Sequence, residues 1–172
     1  MLAIGFQKSA RQCASDEPMM PETDVQIIRA TRDDAAAIRV LTRAAYAKWV
    51  PVIGREPKPM QADYDLAVQN HIIDLVRDGN IPVALIETIA NDDHLLIENV
   101  AVLPAHQGRG YGRLLMAHAE QLARSMGYRQ IRLYTNKLFV ENVRLYSHLG
   151  YEIDREEAFR GGFLVHMHKQ LS

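Results

Sequence analysis

Cysteine is nearly missing from this chain: Cys13 is its one thiol among 172 residues. A lone thiol cannot close an intrachain disulfide, and it fits a reducing, cytoplasmic setting. Long hydrophobic runs are missing as well. None approaches the roughly 18 apolar residues that a membrane-crossing helix requires, so no membrane partner is expected. An excess of either charge is also lacking, with 20 Lys and Arg against 21 Asp and Glu and a formal net charge of -1. Without a basic surplus there is no electrostatic footprint for nucleic acid. What the chain does have is 48% hydrophobic residues, enough at this length for one domain with a sizeable core.

Residues 1–23 carry no sustained periodicity and include Pro18 and Pro21. Their apolar start is too short for a signal-peptide core. They read as a flexible arm, with Met19 or Met20 as an alternative start, ahead of a single domain over residues 24–172.

The chain is organised around the stretch that follows Asn91. An apolar run ending at Val102 leads through Leu103 and Pro104 into Gln107-Gly108-Arg109-Gly110-Tyr111-Gly112, and an amphipathic run follows from Arg113. A strand feeding a glycine turn that opens a helix is an anion site. The first turn of a helix leaves N–H groups unpaired, its dipole favours negative charge, and glycines let an oxyanion approach the backbone. Two nucleotide patterns fail here. There is no Gly-Lys-Ser/Thr of a P-loop, and Arg113 stands where the last glycine of a dinucleotide fingerprint belongs.

The sequence Gln107-x-x-Gly110-x-Gly112, entered through Ala101-Val102-Leu103-Pro104, resembles the acyl-CoA motif of the GCN5-related N-acetyltransferase (GNAT) family. Leu145-Tyr146-x-x-Leu149-Gly150-Tyr151 resembles a second signature of the same family. The resemblance covers about residues 25–171, counting strand, two helices, three strands, helix, strand, helix and two strands. It implies an α/β fold with a mixed, largely antiparallel central sheet of about seven strands flanked by about four helices; element counting alone implies only one α/β domain.

The elements themselves follow from local signals. Val25–Ala30 reads as a strand, and Thr31 with Asp33 and Asp34 starts a helix expected to reach Trp49. Val50–Met60 holds three prolines and is expected to be a stiff loop, neither helix nor central strand. A short helix over Gln61–Gln69 precedes strands at His71–Arg77 and Ile81–Thr88, joined by a hairpin at Asp78-Gly79. After the glycine turn, Leu114, Leu115, His118, Leu122 and Met126 form the expected buried stripe of a helix ending at Gly127. Gln130–Tyr134 is a strand, Leu138–Leu149 a helix, and Tyr151–Asp154 with Phe163–Lys169 a closing strand pair.

The resemblance also assigns roles. It implies acetyl-CoA as co-substrate, its pyrophosphate held by the backbone of Gln107, Gly108, Arg109, Gly110, Tyr111 and Gly112. Its pantetheine arm would pair with Val100, Ala101 and Val102 like an added strand. Tyr146 would be the acid that protonates the departing thiolate; spacing alone favours a core tyrosine. Glu98, a carboxylate inside an apolar strand, would be the base, directly or through water; otherwise it is an outward-facing strand residue. The family's usual CoA-contacting Asn falls on Phe139 here, so Asn136 or Asn142 is the candidate substitute.

Reference pKa values limit these roles. An alkylammonium near 10.4 and a glutamate near 4.3 differ by about six units, or about 8 kcal/mol, whereas a thiol and a tyrosine differ by only about 2 kcal/mol. The implied activity is acetyl transfer to the primary amine of a small molecule in a ternary complex, with no covalent intermediate and no metal. A non-catalytic acyl-CoA sensor, or acetylation of a protein N-terminus or a tRNA-linked amine, is the alternative. A homodimer through a sheet edge stays open, and the proline-rich loop is expected to shape the acceptor pocket. Histidines 94, 106, 166 and 168 flank or face these strands without a third metal ligand.

Overall fold

The computed structural model describes residues 25–172, so the expected arm over residues 1–23 lies outside the described residues. Seven strands form one sheet in the order β1-β2-β3-β4-β5-β7-β6. Their ranges are β1 Ile27–Arg29, β2 Ile72–Asp78, β3 Ile81–Ala90, β4 Leu95–Val102, β5 Gln130–Asn136, β6 Glu152–Phe159 and β7 Gly162–Gln170. The helices are α1 Ala35–Tyr46, the single turn α2 Val50–Ile53, α3 Tyr64–Asn70, α4 Tyr111–Ser125 and α5 Val140–His148. All strand pairs are antiparallel except β4 with β5, as expected of a mixed, largely antiparallel sheet.

Alternation along β4 divides the core in two. Val100 and Val102 join the side covered by α4, where Leu115, Met116, Ala119 and Ala123 are buried against Ile131 and Leu133. Ala101 faces the other side, with Ile38, Leu41 and Tyr46 of α1 and Tyr64 of α3. A period of two in the strand thus meets a period of 3.6 in the helices on both faces. Each fully buried Leu or Ile on these stripes contributes about 1.5–3 kcal/mol.

Several expectations are corrected. Leu114 and Met126 are 39% and 41% exposed; the buried face of α4 keeps the expected Leu115 and otherwise runs through Met116, Ala119 and Ala123. Helix α1 stops at Tyr46 and tightens into a 3-10 turn over Ala47–Trp49. The proline-rich stretch is not free of helix: Pro51 sits in the first turn of α2, where its missing N–H is no loss, and Lys58–Gln61 forms a second 3-10 turn. Leu138 precedes α5 and is exposed. Strand β6 continues to Phe159, well past Asp154. Its residues Arg155–Glu157 show no apolar alternation because β6 is an edge strand with its side chains largely in solvent.

Candidate active site

The sheet comes apart where the site lies. The parallel ladder between β4 and β5 pairs Leu95 with Ile131, Leu96 with Arg132 and Ile97 with Leu133, and there it ends. Both strands continue, to Val102 and Asn136, so the facing edges beyond the ladder are not hydrogen-bonded to each other. A β-bulge on the other side of β4 marks the same level: Glu87 opposes Asn99 and Thr88 opposes Ile97, leaving Glu98 as the extra residue. Bulges bend a strand and re-aim a side chain. Here the bend turns β4 away from β5 and sets the Glu98 carboxylate at the mouth of the split.

The glycine turn closes one end of that split. Gly108 and Gly110 adopt φ of 79° and 88°, a region that other L-residues avoid. A Cβ at either would meet nothing within 4 Å, so the backbone is open to an approaching group. Gly110 caps α4 without any side-chain cap bond, leaving the first-turn N–H groups to an external acceptor. Arg109 is exposed and Tyr111 is half-buried. Gly112 is buried in the first turn. Gln107 turns back, its Nε2 donating to the Val102 carbonyl at 3.1 Å, and so pins the turn to the end of β4.

At the other end, α5 brings Asn142, Leu145 and Tyr146 to its buried face. Tyr146 packs in the same cluster as Val100 and Val102, its ring 6.2 Å from that of Tyr151 in an edge-on contact. Its hydroxyl is buried and has no hydrogen-bond partner among the described residues. Burial, reinforced by Tyr151, pushes its pKa well above the ordinary tyrosine value. An orphaned buried hydroxyl is costly, and a bound group that accepts its proton would relieve it. Asn136 turns inward at the end of β5, its Oδ1 accepting the Leu138 N–H at 2.9 Å. Phe139, at the family's usual Asn position, is fully buried and stacks on Trp49 with ring centroids 4.1 Å apart.

Glu98 sits in a network that local sequence patterns do not reveal. Its Oε1 accepts from Lys58 Nζ at 2.7 Å and from the Tyr134 hydroxyl at 2.7 Å. Burial raises the Glu98 carboxyl, but these donors help to leave it below the ordinary glutamate value, so it is ionised at neutral pH. Tyr134 is pushed the other way, by burial and by the Glu98 charge. Beneath them, the Tyr46 hydroxyl donates to Asn99 Oδ1 at 2.8 Å, and Asn99 Nδ2 donates to the Tyr64 hydroxyl at 3.2 Å. Lys58 stands between two cavities of about 240 and 370 Å³. The first is lined by α3, β3 and β4, and includes His71, Glu87 and Glu98. The second reaches the β6–β7 hairpin.

Glu87 was legible by the signal that marks Glu98, a carboxylate within an apolar run, yet it escapes a reading centred on the glycine turn. The histidines find carboxylates rather than each other: His166 and His168 lie 2.8 and 2.6 Å from Glu157 and Asp154. Among the described residues no group of three ligands could hold a metal ion, and no helix is long and apolar enough to cross a membrane.

Residues 36–151 match the Acetyltransferase (GNAT) family. The chain belongs to this family. Within it, the chain is 41% identical over 59 residues to N-alpha-acetyltransferase 80 of Mus musculus, covering 34% of this chain and 18% of that protein. It is 32% identical over 75 residues to streptothricin acetyltransferase of Streptomyces lavendulae, covering 43% and 40%. The chain thus matches well under half the length of these curated relatives. The crystal structure of an N-acetyltransferase from Thermoplasma acidophilum in complex with coenzyme A superposes with a TM-score of 0.71 at 14% identity, covering 85% of this chain and 98% of that one. That likeness is one of overall fold.

Proposed function

We propose that this chain transfers the acetyl group of acetyl-CoA to the primary amine of a small molecule, by direct attack with both substrates bound. The observation that carries the reading is the β4–β5 split, open between the uncapped glycine turn and the orphaned Tyr146 hydroxyl. The coenzyme A complex of the Thermoplasma acidophilum neighbour supports the choice of co-substrate.

Acetyl-CoA, when bound, supplies an acetyl group activated as a thioester. The residues of the chain then divide the work. Backbone N–H groups from Gly108 to Gly112, in the glycine turn and the start of α4, receive the pyrophosphate together with the Arg109 side chain. The free edge of Val100, Ala101 and Val102 offers strand-like hydrogen bonds to the pantetheine amides and a donor to polarise a carbonyl. Asn142, buried beside Tyr146, orients the same arm, and Asn136 shapes the turn that presents α5. Tyr146 donates its hydroxyl proton toward the sulfur. Its raised pKa makes full transfer to a thiolate less favourable than the reference gap of about 2 kcal/mol, so its contribution is a strong hydrogen bond in a dry site, with most of the rate coming from positioning.

On the acceptor side, the ionised Glu98 meets the incoming ammonium, and Lys58 Nζ now occupies that position as an internal ammonium. The ammonium must lose a proton before it can attack, and Glu98 receives it directly or through a held water. A second reading, acetylation of a peptide N-terminus, is favoured by the identity to an N-alpha-acetyltransferase. Thiol release from acetyl-CoA, followed over a panel of polyamines, amino acids, aminoglycosides and peptides, tests both. Turnover with small amines supports the first reading, turnover with peptides alone the second. Binding of acetyl-CoA with no turnover of any amine would leave only a sensor.

A further inference from the structure

The acceptor cavity contains a titratable pair that the roles above leave unused. His71, between α3 and β2, places Nδ1 2.5 Å from Glu87 Oε1. Glu87 is held by β3 opposite Asn99, beside the bulge that carries Glu98. Both His71 and Glu87 line the cavity of about 240 Å³ with Lys58, Glu98 and Asn99. The Glu87 side chain is 4% exposed and that of His71 29%, so the pair leads from the buried floor of the cavity outward to solvent.

A carboxylate on Nδ1 fixes the tautomer of an imidazole and its ring plane, leaving Nε2 as the proton acceptor. Glu98 is poorly suited to keep a proton, because Lys58 and Tyr134 both stabilise its ionised form. An imidazole, ordinarily near 6.5, lies closer to an alkylammonium near 10.4 than does a glutamate near 4.3. Burial also lifts the Glu87 carboxyl above its ordinary value, against the pull of the His71 hydrogen bond.

We propose that His71, oriented by Glu87, is the final proton acceptor of the acceptor half of the site. The bound ammonium gives one proton to Glu98, which passes it on through water to His71 Nε2, leaving the neutral amine that attacks. The imidazolium so formed returns the proton to bulk water through its exposed edge. The charged and titratable groups around this route are Glu87 on β3, Glu98 on β4, Tyr134 on β5, Lys58 on the preceding 3-10 turn, and Asp63 and Tyr64 at the start of α3. The inference rests on the acetyl-transfer reading above.

Two measurements test it. In histidine ¹⁵N NMR spectra of the resting protein, neutral His71 should carry its proton on Nδ1, and E87Q should shift that preference; an Nε2–H tautomer in the wild type overturns the proposal. In the second, kcat/KM is measured from pH 6 to 9.5 with whichever of spermidine, glycinamide and a tetrapeptide is acetylated fastest. H71Q should lose about 10- to 100-fold near pH 7, with the deficit shrinking toward pH 9.5, where the free amine is abundant, and with acetyl-CoA affinity unchanged. H71N replaces it if H71Q does not fold. A deficit uniform across pH, or none, overturns the role of His71 alone, whereas a wild type that binds acetyl-CoA and acetylates none of the three overturns the parent reading with it.

Discussion

The two halves of the proposed site are built from different materials. The donor half is mostly backbone: a split between strands, a glycine turn and an uncapped helix start, with one buried tyrosine hydroxyl. The acceptor half is mostly side chains tied across distant elements, such as Lys58 to Glu98 and Tyr134, and His71 to Glu87. Backbone geometry recognises a constant chemical group and tolerates sequence change around it. Side-chain networks recognise whatever charge and shape their members happen to set. Under the proposed function, that difference lets the donor side stay fixed while the acceptor side varies.

Variants can break this division if it is wrong. The largest effect is expected at the reacting end of the donor half. Tyr146→Phe should cut kcat by about 100-fold while KM for the amine changes little, read by steady-state thiol release; a rise in amine KM alone would move Tyr146 into the acceptor half. Gly110→Val forces a branched residue to φ near 88° and puts a side chain in the open turn. By blocking the approach to the backbone it should weaken acetyl-CoA binding by about 10-fold, the worth of roughly one hydrogen bond to a charged group at about 1.5 kcal/mol, as measured by calorimetry. Unchanged affinity would place the pyrophosphate elsewhere. Glu98→Gln should lower kcat/KM about 10-fold near neutrality, and more at low pH where free amine is scarce, with acetyl-CoA affinity intact. A loss of acetyl-CoA binding would merge the two halves.

The smallest effect concerns the frame that supports both. Asp74 on β2 accepts from Arg29 Nε on its Oδ1 at 2.7 Å and lies 2.8 Å from His118 Nε2 of α4 through its Oδ2. Burial raises its carboxyl, but the His118 and Arg29 hydrogen bonds and charges leave it below the ordinary aspartate value. A depressed acid stabilises the fold fully above its unfolded pKa, about 3.9, and that stability is lost as pH falls through the lower folded value. Asp74→Asn should therefore cost about 1 kcal/mol at pH 7, discounted because Arg29 is half in solvent. The loss should appear as a melting temperature about 2–4 °C lower and should vanish toward pH 3. Activity per folded molecule should not change.

The elements that frame the proposed donor half were readable in the sequence because their determinants are local. Strand, proline, glycines and amphipathic helix follow one another within Leu95–Ser125, and the Tyr146 signature occupies one helix. The succession of elements along the chain, including the three consecutive strands β2, β3 and β4, was readable for the same reason. The acceptor half was not, since its pairs join Lys58 to Glu98 across 40 positions and Asn99 to Tyr46 across 53, and no periodicity encodes such contacts. The buried face of α4 was misread in part because Ala119 and Ala123, not the larger Leu114 and Met126, lie on it. The helical turn at Val50–Ile53 was missed because proline forbids a helix interior but not a first turn.

Binding of acetyl-CoA tests the account most directly. At about 100 times its dissociation constant a ligand adds about 2.7 kcal/mol to stability, which for a domain of this size raises the melting temperature by about 5–10 °C. The account predicts that rise for the wild type, its reduction in Gly110→Val and its persistence in Glu98→Gln. A melting temperature unmoved by millimolar acetyl-CoA would contradict the assignment of the β4–β5 split as the donor site.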